Sequence, residues 1–186
     1  MPWTGETRWA TNGELTYVAL GTAAEVRVYD RRGSVQSIFR WKAPLRKVAD
    51  TDRRRYNSRR DAVARVAPGV AQLAPELNEF PDLPDAKPPH LGILVDDSAR
   101  VWLRDYPDWI AGRPDRFDRD VPLYNVDDDP DGGEPWQVFS KDGTWLGAVR
   151  MPARLTIRAI SGNRVYGVWR DGDGAEHVRI HAITFK

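Results

Sequence analysis

An all-β fold, built as a series of small antiparallel sheets, is predicted by three observations. First, a strand–turn–strand cassette occurs twice: over Glu25-Val-Arg-Val-Tyr-Asp-Arg-Arg-Gly33-Ser-Val-Gln-Ser-Ile-Phe39, and again over Trp136-Gln-Val-Phe-Ser-Lys-Asp-Gly143-Thr-Trp-Leu-Gly-Ala-Val149. In both, an apolar/polar alternation reaches an aromatic, a polar turn ends in Gly four residues later, and a second alternating run follows. That is the period-two pattern of half-buried strands joined by a tight turn. Second, a turn signal followed by a short β-rich run with an aromatic inside it occurs three times, from Asn12-Gly13, from Asp97-Ser98 and from Gly162-Asn163. Third, the chain carries eight Trp residues, and aromatic side chains favour pleated, half-buried surfaces.

The elements follow in order. Thr7 to Ala10 is a weak first strand, and Leu15 to Leu20 a second after the Asn12-Gly13 turn. The first cassette supplies two more. Leu91 to Val95 and Arg100 to Asp105 flank the Asp97-Ser98 turn, and the second cassette completes that unit. Leu155 to Ile160, Arg164 to Trp169 and His177 to Ile183 form the last unit, with Asp171-Gly-Asp-Gly174 as a hairpin turn between the final two. Val101 and Val165 are 64 residues apart, Leu15 and Val101 86. Setting aside two inserted segments leaves about 40–45 residues per unit, the size of a four-stranded propeller blade. The expected architecture is therefore about three four-stranded blades of a β-propeller in a single partial domain, with one short helical insertion.

The first insertion covers about 42–87. Its early part is predicted as a helix with Thr51 as N-cap, Asp52 in the first turn and an apolar stripe of Tyr56, Val63 and Val66, stopped by Pro68-Gly69. The stretch from Pro75 to Pro89 is predicted as extended loop. The second insertion, 107–135, is rich in Pro, Gly and Asp and is predicted as a long loop. Charge is segregated between them: nine Lys/Arg against three Asp over 42–65, twelve Asp/Glu against five Arg over 96–134. Two solvated faces in contact with one another are the expected reading of this pattern, and a basic patch for an anionic partner is the alternative, weakened by neutralisation within the chain.

Composition excludes several classes. With no Cys, disulfides, thiolate zinc sites and thiol nucleophiles are ruled out. A net charge of +1 argues against a nucleic-acid partner, which calls for a basic domain. No apolar run reaches the roughly 18 residues of a membrane span. The start, from Met1 to Glu6, has no basic n-region or apolar core, so no signal peptide is expected and the compartment is left open.

The order of these signals resembles the C-terminal part of the bacterial six-bladed β-propeller proteins, a family related to NHL-repeat propellers. The segments that carry the resemblance are Glu25 to Gly33, the basic Asp52-Arg-Arg-Arg-Tyr56 stretch, Leu91 to Tyr106, Trp136 to Pro152 and the closing Val165 to Phe185 hairpin. A full member is about twice as long. The resemblance implies an arc rather than a ring: a truncated gene product, an excised fragment, or a half-propeller completed by another chain. It also implies self-association through open blade edges. It brings no catalytic residue with it.

Candidate sites are few. Asp127-Asp-Asp129-Pro-Asp131-Gly132 opens like a calcium loop, with Asp127, Asp129 and Asp131 at alternate positions around a Gly turn, but Val138 stands where the bidentate Glu belongs. His177 and His181 lie on a strand, about 13 Å apart, too far to share an ion. There is no nucleophile elbow and no phosphate loop. Trp102, Trp136, Trp145 and Trp169 are expected in the inter-blade core, whereas Trp109, with Tyr124, is expected to offer an aromatic platform for a sugar or peptide. The expected function is a non-catalytic binding or scaffold module that meets a protein or small ligand through inter-blade loops, without a cofactor apart from calcium at the acidic loop. The alternatives are the C-terminal part of a metal-dependent, gluconolactonase-like propeller hydrolase or lyase, and a carbohydrate-recognition module.

Overall fold

Tight hairpins dictate the topology, because each strand pairs only with its neighbours in sequence. The computed structural model describes residues 5–54, 84–106, 135–152, 155–171 and 173–184. Its first sheet runs β1 (Arg8–Thr11), β2 (Thr16–Ala19), β3 (Glu25–Tyr29) and β4 (Val35–Arg40). The second runs β5 (Gly92–Val95), β6 (Val101–Arg104), β7 (Pro135–Phe139) and β8 (Trp145–Arg150). The third has three strands, β9 (Leu155–Ser161), β10 (Arg164–Arg170) and β11 (Glu176–Ala182). All pairings are antiparallel. The chain is thus mostly antiparallel β, as expected. The third unit has the three strands assigned to it among the described residues, one short of a four-stranded blade.

One turn geometry recurs. Asp30, Ser140 and Asp171 each receive an N–H from the residue three further on and donate to the carbonyl four further on. The Asp30 and Asp171 carboxylates and the Ser140 hydroxyl accept additional backbone N–H groups across the turn. The fourth residue is Gly33, Gly143 or Gly174, at φ of 80°, 81° and 85°, a left-handed conformation that costs glycine little. The β5–β6 turn has the same hydrogen bonds around Asp96, but its fourth residue is Ala99, at φ 58°.

The alternation of side chains divides each sheet into two faces. Tyr17, Ala19, Val26, Val28 and Phe39 of the first sheet pack on Ile93, Val101, Leu103 and Phe139 of the second. The opposite face of the second sheet, with Trp102, Trp136 and Val138, packs on Leu155, Ile160 and Val165 of the third. The middle sheet is therefore covered on both faces, which is why Val101, Trp102 and Leu103 are consecutively buried. Trp102 is fully buried; filling such a position is worth about 3–5 kcal/mol over alanine. Leading strands adjoin, β1 lying against β5 and β5 against β9.

Polar groups fix the second sheet to the third. The buried Asp96 carboxylate accepts from the Ser98 and Arg100 N–H groups, from Arg100 Nε at 2.6 Å and from Trp102 Nε1 at 2.9 Å. Arg100 then donates to the Gly162 carbonyl, while Asp97 accepts from the Gly162 N–H and the Ser161 hydroxyl. Those bonds, the Gly162 N–H foremost, hold the Asp97 carboxyl below its ordinary range. The β5–β6 turn is in this way bonded to the β9–β10 turn.

The 42–87 insertion leaves and returns through a paired neck. Lys47 bridges Ala86, Val48 N–H donates to Asp85 and Lys87 N–H to Arg46. Inside the neck the Lys87 ammonium meets the buried Asp52 carboxylate at 3.3 Å. A helix does begin here, at residues 50–54. Its N-cap is Ala49 rather than Thr51: the Arg53 N–H donates to the Ala49 carbonyl, and the Asp52 carboxylate reaches back to the Ala49 N–H, half of a capping box. The predicted stripe of Tyr56, Val63 and Val66 lies outside the described residues. Of the tryptophans expected in the core, Trp102 and Trp136 are buried, but Trp145 is 58% exposed. Trp145 pairs with Phe139 across a β-bulge, on the solvent-open rim of the sheet.

Candidate functional site

Where the first two sheets meet, their shared core opens into a cleft of about 440 Å³. Trp41 directly follows β4 and forms one wall. Its ring packs on Phe139, with centroids 5.5 Å apart, so the core orients it. Trp145, the first residue of β8, forms the other wall. Pro44 and Pro89 add rigid apolar surface.

The polar part of the cleft is a relay across three elements. Trp145 Nε1 donates to Gln137 Oε1 at 2.9 Å, and Gln137 Nε2 donates to Asp105 Oδ2 at 2.9 Å. The relay fixes the amide orientation, since only the carbonyl end can accept from an indole. Burial pushes the Asp105 carboxyl above its ordinary range, against the opposing pull of the Gln137 amide and the nearby Arg46 charge. Arg46 donates to the Tyr106 carbonyl at 2.6 Å, and Lys42 stands exposed at the rim. Asp105 is the one carboxylate among the described residues of the lining, with no histidine or hydroxyl facing it there.

Both insertions are rooted at this cleft. The first begins at its lining residues Trp41 to Pro44 and ends next to Pro89; the second follows Asp105 and rejoins the fold at Pro135, two residues before Gln137. The Asp105 N–H donates to the Pro135 carbonyl, closing the second root. Behind the Trp41 wall lies the buried His90, whose Nε2 is 2.9 Å from the Leu20 carbonyl. Its Nδ1 has no hydrogen-bond partner among the described residues. Burial depresses its pKa below 6.5, so the ring is neutral near pH 7 and Nε2 is the protonated nitrogen that donates.

The residues expected to form a site stand differently. Trp109, Tyr124, Asp127, Asp129 and Asp131 all lie outside the described residues. His177 bonds the Asp171 carboxylate at 2.9 Å and stacks near Trp169, well away from the cleft in the last hairpin. Among the described residues, no three His, Asp or Glu side chains gather to hold a metal ion, and no helix is long and apolar enough to cross a membrane. Sequence reasoning missed Trp41, Asp105, Gln137 and Trp145 as a group. The signal available for them was positional: each flanks an insertion boundary or a cassette turn. No protein-family model, curated protein or solved structure matches the chain.

Proposed function

We propose that this chain is a non-catalytic binding module of β-propeller type, with the Trp41–Trp145 cleft as its ligand surface. Three meander sheets stacked in series with adjoining leading strands support the propeller reading. The observation that carries the binding reading is that both long insertions leave and rejoin the fold at one cleft. Function concentrates on loops held by a rigid scaffold, and ligand sites combine apolar walls with a few convergent polar groups.

The lining favours a saccharide. Indole faces stack on the apolar face of a sugar ring, and the Asp105 carboxyl with the Gln137 amide offers hydroxyl partners. Among the described residues the lining holds one carboxyl without an opposed second carboxylate, an arrangement that suits binding better than glycosidic cleavage, which needs a pair. The test is indole-resolved NMR and tryptophan fluorescence during titration with neutral and uronic-acid oligosaccharides. Binding is expected to shift the Trp41 and Trp145 indole signals. Trp145→Ala should weaken it at least tenfold, the loss of about 1.4 kcal/mol. Unmoved indole signals across the saccharide panel would overturn the reading.

A further inference from the structure

The two end sheets of the stack leave complementary faces uncovered, and we propose that a second copy of this chain covers both at once. The repeat defines what each face is for. Every sheet has a forward face whose second strand carries an aromatic: Tyr17 in the first, Trp102 in the second, Tyr166 in the third. Tyr17 and Trp102 are at most 1% exposed because the next sheet lies on them. On the third sheet the register aligns Tyr166 with Ile180 and Val168 with Val178 on that same forward face. Nothing among the described residues packs there: Val178 is 81% exposed and Ile180 57%.

The rear face of the first sheet is the matching half. The register places Trp9, Val18, Arg27 and Ile38 in one row and Tyr29 with Val35 in the next. Trp9 is 68% exposed, Val35 51% and Ile38 43%. The charges in this face are already paired, the Glu25 carboxylate holding Arg27 at 2.7 Å and Arg40 at 2.6 Å. Rear faces of the second and third sheets are the surfaces that cover a forward face within the chain. The first sheet's rear face is therefore the surface built to cover the third sheet's forward face, and geometry sends it to another copy.

Two copies related by a two-fold axis satisfy four open faces with two identical head-to-tail contacts. Six sheets result, within the four to eight that close a ring. A closed arrangement ends growth at two chains, whereas a head-to-tail contact that fails to close polymerises.

Sedimentation and light scattering on the full chain test this. The expected species has twice the 21.1 kDa mass of one chain. Trp9→Glu and Val178→Lys alter exposed residues, so each should yield a folded monomer, verified by circular dichroism and thermal melting, with Ile180→Lys as a second forward-face variant. Mixing the Trp9 and Val178 variants should restore association, because one of the two contacts in the mixed pair is then wild type on both sides. The proposal is overturned by a wild-type monomer at 100 µM, by masses that grow with concentration beyond two chains, or by a Trp9→Glu variant that stays dimeric. The last result would mean that like faces meet, or that another surface does.

Discussion

Gly33 and Gly143 occupy the same position in the same turn at φ of 80° and 81°, yet their surroundings differ. A Cβ added at Gly33 would meet nothing within 4 Å, whereas one added at Gly143 would press on the Phe39 Cβ and, at 2.6 Å, on its Cγ. The pair therefore separates backbone strain from packing between sheets. An L-residue in the left-handed region costs about 1–2 kcal/mol, offset by roughly 0.4–1 kcal/mol from the less flexible unfolded chain. Gly33→Ala should cost about 1 kcal/mol. Gly143→Ala carries the same strain plus overpacking of about 1–3 kcal/mol, because Phe39 is itself wedged between core residues and packs 5.4 Å from Phe139. At about 2–4 °C per kcal/mol for a chain of this size, melting should fall roughly 2–4 °C for the first and 4–16 °C for the second. The assay is urea and thermal unfolding of both variants, repeated with Phe39→Ala as background. In that background the excess cost of Gly143→Ala should shrink without vanishing, since alanine removes the Phe39 ring but keeps its Cβ, and the reduction is the coupling a double-mutant cycle isolates. Equal losses with Phe39 intact would refute the reasoning, since the turn of the second sheet would then not be seated on the first.

Two further outcomes follow from the same structure. Ala99→Gly places glycine at the one turn of this kind with a side chain, φ 58°, and should stabilise by about 0.5–1 kcal/mol in chemical unfolding. His90 has a folded pKa depressed below 6.5 by burial. Below pH 6.5 the unfolded chain therefore binds a proton that the folded chain refuses, and stability should fall as pH drops, by at most about 1.4 kcal/mol per unit. Urea midpoints from pH 7.5 to 5.5 should show this slope, and His90→Leu should flatten it.

The strands were legible because their alternation is local. Glu25 to Phe39 reads as two strands and a turn without knowledge of any partner, and each predicted strand forms within a residue or two of its expected ends. Trp145 was misread for the opposite reason. Alternation assigns it to a face, but whether that face is covered depends on the neighbouring sheet, and the bulge at Phe139 shifts the register beside it. The Thr51 cap failed on competition: Asp52 sits one residue later and its carboxylate takes the Ala49 N–H, starting the helix earlier. The cleft was invisible to motif reading because Trp41, Asp105 and Gln137 are held together by sheet packing across almost a hundred residues of sequence, and none of them is unusual in its own segment.

The charge segregation along the chain takes on a spatial meaning at the same place. Lys42 and Arg46 belong to the basic run, Asp105 to the acidic one, and the cleft brings the roots of both runs within one cavity. Arg46 ties them, donating at 2.6 Å to the carbonyl of Tyr106, one residue beyond Asp105. That tie between the two insertions is made at their bases. It leaves the Asp105 carboxyl governed by burial rather than by a full salt bridge. Its oxygens can accept hydrogen bonds from a hydroxyl-bearing ligand, which is why the cleft, and not either charged run, carries the binding proposal.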